Sequence, residues 1–184
     1  MATCANTLVI LGAAAGYKAD FAAMPLRDAA HIMVVNDVGT SWPECNYWAS
    51  LHGEKFPAWL KLRKANGLRA DRIKLFTGLS GGDFENIRKL VEDSGGACTQ
   101  AMFEKQKQGG SSGLFAARVG LEVLKYERVV LCGIPMEATA HFNRPEPWAD
   151  AIPSRQGWLE ALPVLKGKVF SMSGWTRELL GAPQ

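Results

Sequence analysis

The stretch that decides the fold is "KQGGSSGLFAARVGLEVLKYERVVLCGIPM", residues 107–136. A Gly-Ser cluster opens a run whose apolar residues recur at helical spacing. Leu114, Ala117, Leu121 and Leu124 fall on one face, and Arg118, Glu122 and Lys125 on the other. The run leads into a solid block, Val129-Val130-Leu131-Cys132, closed by Gly133. A block that is apolar at every position suits a strand covered on both faces, as in a parallel sheet. A helix feeding such a strand is the repeating unit of an α/β fold.

The same unit recurs along the chain. Five more candidate strands are "TLVILG" (7–12), "HIMVVND" (31–37), the weaker "YWASLH" (47–52), "RIKLFTG" (72–78) and "KVFSMSG" (168–174). Helical patterns lie in "FPAWLKLRKANG", with Pro57 near its start and Gly67 as a stop, in "GDFENIRKLVEDSGG", in "SRQGWLEALPVLKG" and in the short "WTRELLG". Pro163 is expected to kink or end the third of these early. The expectation is a single three-layer Rossmann-like domain over residues 1–184 with a mainly parallel sheet. The segment "GIPMEATAHFNRPEPWADAIPSRQ" reads as the longest irregular stretch, and long loops in compact domains are usually functional.

Composition excludes more than it selects. A net charge of +3 is mild and gives no strong nucleic-acid signal. The nearest basic cluster, "KLRKANGLRADRIK" (61–74), reads as the wet face of a helix and the loop after it. Cys4, Cys45, Cys98 and Cys132 form no Cys-x-x-Cys pair and no metal-ligand spacing with the histidines. Cys132 reads as a small core residue, and a reducing, cytoplasmic setting fits. The apolar run near the start lacks a basic n-region and is too short to span a membrane, so no membrane association is expected.

In open α/β sheets ligands bind beyond the carboxyl ends of the strands, which selects positions before any motif does. Gly12 and Ala13 follow the first strand, Asn36 and Asp37 the second, and His52, Glu54 and Lys55 the third. Thr77, Gly78, Ser80 and the Gly81-Gly82 pair follow the fourth, Gly133 follows the strand of the opening stretch, with His141, Asn143 and Arg144 in the loop beyond, and Ser171, Ser173 and Gly174 follow the last. Ser111, Ser112 and Gly113 open the helix, where free N–H groups attract anions and glycine admits a phosphate to the backbone. The alternative is a plain serine cap with a glycine turn. The stretch is no P-loop, since the Gly-Lys-Ser/Thr ending is missing, and residues 12–16 are not Gly-x-Gly-x-x-Gly. Asp37 stands where such folds place a ribose-binding acid, or is a turn residue. His141 and His52 are the candidate general bases, and His31 sits on the opposite rim as a structural residue. Trp42, Trp48, Trp148 and Trp158 are candidates for an aromatic wall, although packing is the commoner use of tryptophan.

The order of Gly12, Asn36, Ser111-Ser112-Gly113 and Gly133, with the helix running to "YERVVLCGI", resembles two related groups. One is a family of bacterial sialyltransferases that use a CMP-activated sugar. The other is the family of 6-hydroxymethylpterin diphosphokinase-like proteins, including flagellin-glycosylation accessory factors. Small phage and prophage proteins of no assigned function are similar too. The first loop reads Gly-Ala-Ala-Ala-Gly where these families have Gly-x-Gly-Pro-Ser, and Pro135 stands where an acid usually follows the later glycine. The resemblance implies a Rossmann-like fold and a small nucleotide or nucleotide-sugar ligand. It points to a glycosyl- or diphospho-transferase, or to a non-catalytic nucleotide-binding or protein-interaction module. The cofactor is unspecified, and self-association into a homo-oligomer stays open. No Gly-x-Ser-x-Gly elbow or metal cluster supports a hydrolase.

Overall fold

The structure, a computed structural model, describes residues 6–25, 30–103 and 111–184. Cys4, Gly109 and Gly110 lie outside the described residues. The chain builds one seven-stranded, wholly parallel sheet with helices on both faces, a Rossmann-like α/β fold. The strands are β1 (Thr7–Leu11), β2 (His31–Val35), β3 (Tyr47–Ser50), β4 (Lys74–Thr77), β5 (Ala97–Gln100), β6 (Arg128–Cys132) and β9 (Val169–Ser171). Their spatial order is β5-β4-β3-β2-β1-β6-β9. All six strands expected from the sequence are present; five are shorter than their candidate segments, and β6 adds Arg128 to its apolar block.

Alternation along the central strands divides the core in two. Leu8 and Ile10 of β1 face α4 (Ser112–Arg118) and α5 (Arg155–Leu165), packing with Leu114, Ala117, Trp158 and Leu165. Val9 and Leu11 face α1 (Tyr17–Ala23), α2 (Phe56–Ala65) and α3 (Gly81–Asp93), packing with Tyr17, Phe56, Leu60 and Val91. Both sides of β1 are therefore dry, which is why its sequence is apolar at every step.

Three expectations are corrected. The helix of the opening stretch has a wet side only at its end: Ser112 through Leu121 are all buried, Arg118 included, while Glu122 is half-buried and Lys125 exposed. Arg118 is only 7% exposed, bonds Glu122 at 2.5 Å and lies 4.3 Å from the Phe103 ring centroid. The cause is position, because α4 packs on β1, β2 and β3 with α5 against its other side. It ends in one π-helical turn (Val119–Val123), Leu124 N donating to Val119 O, and Gly120 lies where a Cβ would come 2.7 Å from Leu8. Second, α5 runs past Pro163 to Leu165. The proline falls in the last turn, and the carbonyl it deprives belongs to half-exposed Leu159. Third, the basic run 61–74 is not simply a wet face. Arg63 is 1% exposed and donates to the carbonyls of Gly39, Trp42, Pro43 and Arg69 at 2.5–2.7 Å. It ties α2 to the loop after β2.

Strand β5, helix α1, and the hairpin β7 (Ala140–His141) and β8 (Arg144–Pro147) are additions the sequence pattern did not give. Among the described residues no helix is long and apolar enough to cross a membrane. Cys132 is buried, and burial with the nearby Asp20 carboxylate pushes its thiol up to about 12, in keeping with a core role. Replacing Arg63 with Met removes the donor of four carbonyls, of which that of Gly39 is buried and costs about 1–3 kcal/mol when unpaired, and it unties α2 from the loop after β2. Urea denaturation of Arg63→Met is expected to show a loss of about 3 kcal/mol.

Candidate functional site

From β1 the chain steps outward to β5, then returns through α4 to place β6 on the other side of β1. The strand order therefore reverses between β1 and β6, and a crevice opens beyond their carboxyl ends. A cleft of about 750 Å³ occupies that place. Gly12 and Ala13 from β1, Asn36 and Asp37 from β2, His52 and Lys55 from β3, and Gly133 from β6 line it, whereas Glu54 and the residues at the exits of β4 and β9 do not. Ser111, Ser112 and Gly113 enter from α4, and His141 and Arg144 from the hairpin.

The floor is a seam of close backbone contacts. Gly12 N donates to Cys132 O at 2.8 Å and Ala14 N to Gly133 O at 3.2 Å, extending the β1–β6 ladder past its strands. A Cβ on Gly12 would lie 2.4 Å from Gly133 O. Gly133 has φ 68, and a Cβ there would lie 2.3 Å from that of Tyr17. The Asp20 carboxylate accepts from Gly133 N at 2.8 Å and from Ser173 Oγ at 2.6 Å, joining α1 to both strand exits.

The polar groups around this floor are aimed as donors. Asn36 adopts φ 53 and its Oδ1 accepts from Ser50 Oγ at 2.8 Å. Ser50 Oγ in turn accepts from His52 N at 2.9 Å, so its single proton is free for Asn36. That chain fixes which way the amide points and leaves Nδ2 without a protein partner among the described residues. Ser111 Oγ accepts from Leu114 N and from Trp158 Nε1, both at 3.2 Å. Ser112 Oγ accepts from Leu51 N at 3.2 Å. The cap expected as the alternative is thus real at Ser111, yet both hydroxyl protons have no acceptor among the described residues.

The first loop offers less. Ala13 O accepts from Phe142 N, Ala15 N donates to Ala140 O, and an isolated bridge joins Ala14 to His141. The hairpin is thereby stapled to that loop, and of the N–H groups from Gly12 to Ala15 only that of Ala13 lacks a protein acceptor among the described residues. At its tip Asn143 Nδ2 donates to Asp37 Oδ2 at 2.6 Å, clasping the hairpin to the exit of β2. His141 Nδ1 lies 3.2 Å from Arg144 Nη2. Burial and Arg144 hold this histidine below its ordinary range, against the opposing pull of Asp37. His52 is exposed, its Nδ1 3.6 Å from Glu54 Oε1.

Of the tryptophans expected as a wall, Trp148 lines the cleft, Trp48 and Trp158 are fully buried, and Trp42 packs on Tyr17 and Phe21. Trp59, stacked on Trp48 at 6.0 Å, is a wall residue the sequence pattern hid inside a helix. Glu137 and Asp150 also line the cleft, visible beforehand only as members of an irregular stretch. His31 Nδ1 contacts the Tyr126 hydroxyl at the far rim, a structural pairing. Among the described residues no cluster of His, Cys, Asp and Glu is placed to hold a metal ion. No known protein family, curated protein or solved structure matches this chain.

The seam predicts a specific sensitivity. Gly12→Ala must push the Gly133 carbonyl and Ile134 aside. Thermal unfolding is expected to show a loss of about 3 kcal/mol, whereas Gly16→Ala, with open space at its Cβ, should cost far less.

Proposed function

We propose that the protein binds a small nucleotide or nucleotide sugar in the β1/β6 cleft and acts as a glycosyl- or diphospho-transferase. The observation that carries this is the donor set: the Asn36 amide and the Ser111 and Ser112 hydroxyls, all uncommitted as donors, meet over one floor at the strand-order reversal. Such a set suits an acceptor-rich group, and a phosphate is the commonest one at this place in the fold. Ser111, Ser112 and Gly113 hold the phosphate, while Gly12 and Ala13 let the ligand close on β1. Asn36 donates to the leaving group or ribose, with Asp37 beside it. Lys55 and Arg144 balance charge. Trp59 and Trp148 supply flat walls for a base or sugar. The cleft volume falls within the range of small-molecule sites. The resemblance to CMP-sugar-dependent sialyltransferases and pterin diphosphokinase-like proteins supports the same class of ligand.

A second reading, a non-catalytic nucleotide-binding or protein-interaction module, has its own support. Pro135 stands where an acid is expected after Gly133, and Asp20 spends its carboxylate on Gly133 N and Ser173 instead of on the cleft.

Thermal shift against nucleotides, nucleotide sugars and pterins tests the proposal. A true ligand at a hundredfold its Kd should raise Tm by about 5–10 °C. Asn36→Asp keeps the acceptor for Ser50 and tolerates the left-handed backbone, but turns a donor into an anion. It should weaken phosphate-bearing ligands by about tenfold or more while leaving the fold intact. No stabilisation by any of these at millimolar concentration would overturn the proposal. Slow release of free nucleotide from a bound nucleotide sugar separates the transferase from the module.

A further inference from the structure

Of the two cleft histidines, His141 has a partner that decides where its proton sits. Arg144 is a donor at every nitrogen and has no lone pair to offer. Its Nη2, 3.2 Å from His141 Nδ1, therefore requires an unprotonated Nδ1. A neutral ring with a bare Nδ1 carries its proton on Nε2, so the nitrogen left for a ligand is an N–H donor. At His52 the neighbour is a carboxylate, with Glu54 Oε1 3.6 Å from Nδ1. That separation is too long for a hydrogen bond and both side chains are more than half exposed, so Glu54 does not fix the proton of His52.

We infer that His141 serves the cleft as a neutral hydrogen-bond donor to an oxyanion and not as its base. The ligand part of this rests on the nucleotide reading above; the proton positions do not. The charged groups facing His141 are Arg144 of its own hairpin and Asp37 from the exit of β2. Burial and Arg144 outweigh Asp37, so the ring stays neutral at neutral pH. A neutral imidazole cannot readily surrender its last proton, so its part is to stabilise developing negative charge without completing a transfer.

Long-range proton–nitrogen correlation on histidine-labelled full chain at about pH 7.5 reads the protons directly. Assignment uses His141→Gln and His52→Gln. His141 is expected as the Nε2–H form. Arg144→Met should release His141 to a mixed tautomer and raise its titration midpoint. Finding His141 protonated on Nδ1, or charged, overturns the inference; so does an unchanged His141 in Arg144→Met. Calorimetry with cytidine monophosphate adds the functional arm. His141→Gln, which can still donate, should keep affinity within about threefold, and His141→Leu should lose about tenfold. Equal losses in both contradict a donor role. If neither this probe nor any of the nucleotides, nucleotide sugars and pterins above binds the wild type at millimolar concentration, the nucleotide reading is what fails, and the proton positions are still decided by the resonance measurement.

Discussion

The rest of the structure depends on the contact between two strand exits, Gly12 after β1 and Gly133 after β6. Their backbones approach until no Cβ fits at either position, and two hydrogen bonds lock them. Everything beneath and around is arranged to hold that approach. Gly113 of α4 leaves room for Ile134, whose Cγ2 would lie 2.8 Å from a Cβ there. Thr176 Oγ1 donates to Ile134 O at 2.6 Å, and Gly174 admits Pro135. The Gly-Ile-Pro exit that departs from the expected Gly-Ile-acid is thus a packed turn. Its rigidity comes from α1, α4 and α6 (Gly174–Leu180) together.

A rigid floor makes the donors above it meaningful. Asn36 is held by Ser50 and by its left-handed backbone, and its carbonyl accepts from buried Trp48 Nε1 at 2.6 Å. The loop that follows is tied to α2 by the buried guanidinium of Arg63. Ser111 is held by the helix it caps and by Trp158 of α5. Each of these side chains therefore presents its remaining proton from a fixed place, with little entropy left to lose on binding. The hairpin closes one side, carrying His141 and Arg144, and its clasp to Asp37 links the walls that belong to β1 and β2.

The fold was largely legible because burial on both sides leaves a mark at every residue. Val9 and Ile10 are equally dry, so the strand reads as a block. What escaped notice lacks that mark. Only Tyr17 of α1 is buried, β5 alternates around Cys98, and every residue of β8 is exposed, with prolines at two of its four positions. The site was legible for a different reason: a strand's carboxyl end is defined by where its apolar block stops, and small or polar residues there stand out. Trp59 did not stand out, because it lies within α2 and reaches the cleft by direction, not by place in the chain. The burial of Arg63 and Arg118 was equally hidden. A charged residue announces solvent unless its partners are known, and here most of Arg63's partners lie 20 or more residues away.

The central claim is that donors from β1, β2 and α4 address one ligand. Titrating cytidine monophosphate into nitrogen-labelled protein tests it most directly. The account predicts that the backbone amides of Ala13, Ser112 and Gly113 and the side-chain amide of Asn36 shift together along one binding curve. Shifts confined to residues outside the β1/β6 cleft, or none at millimolar concentration, would contradict it.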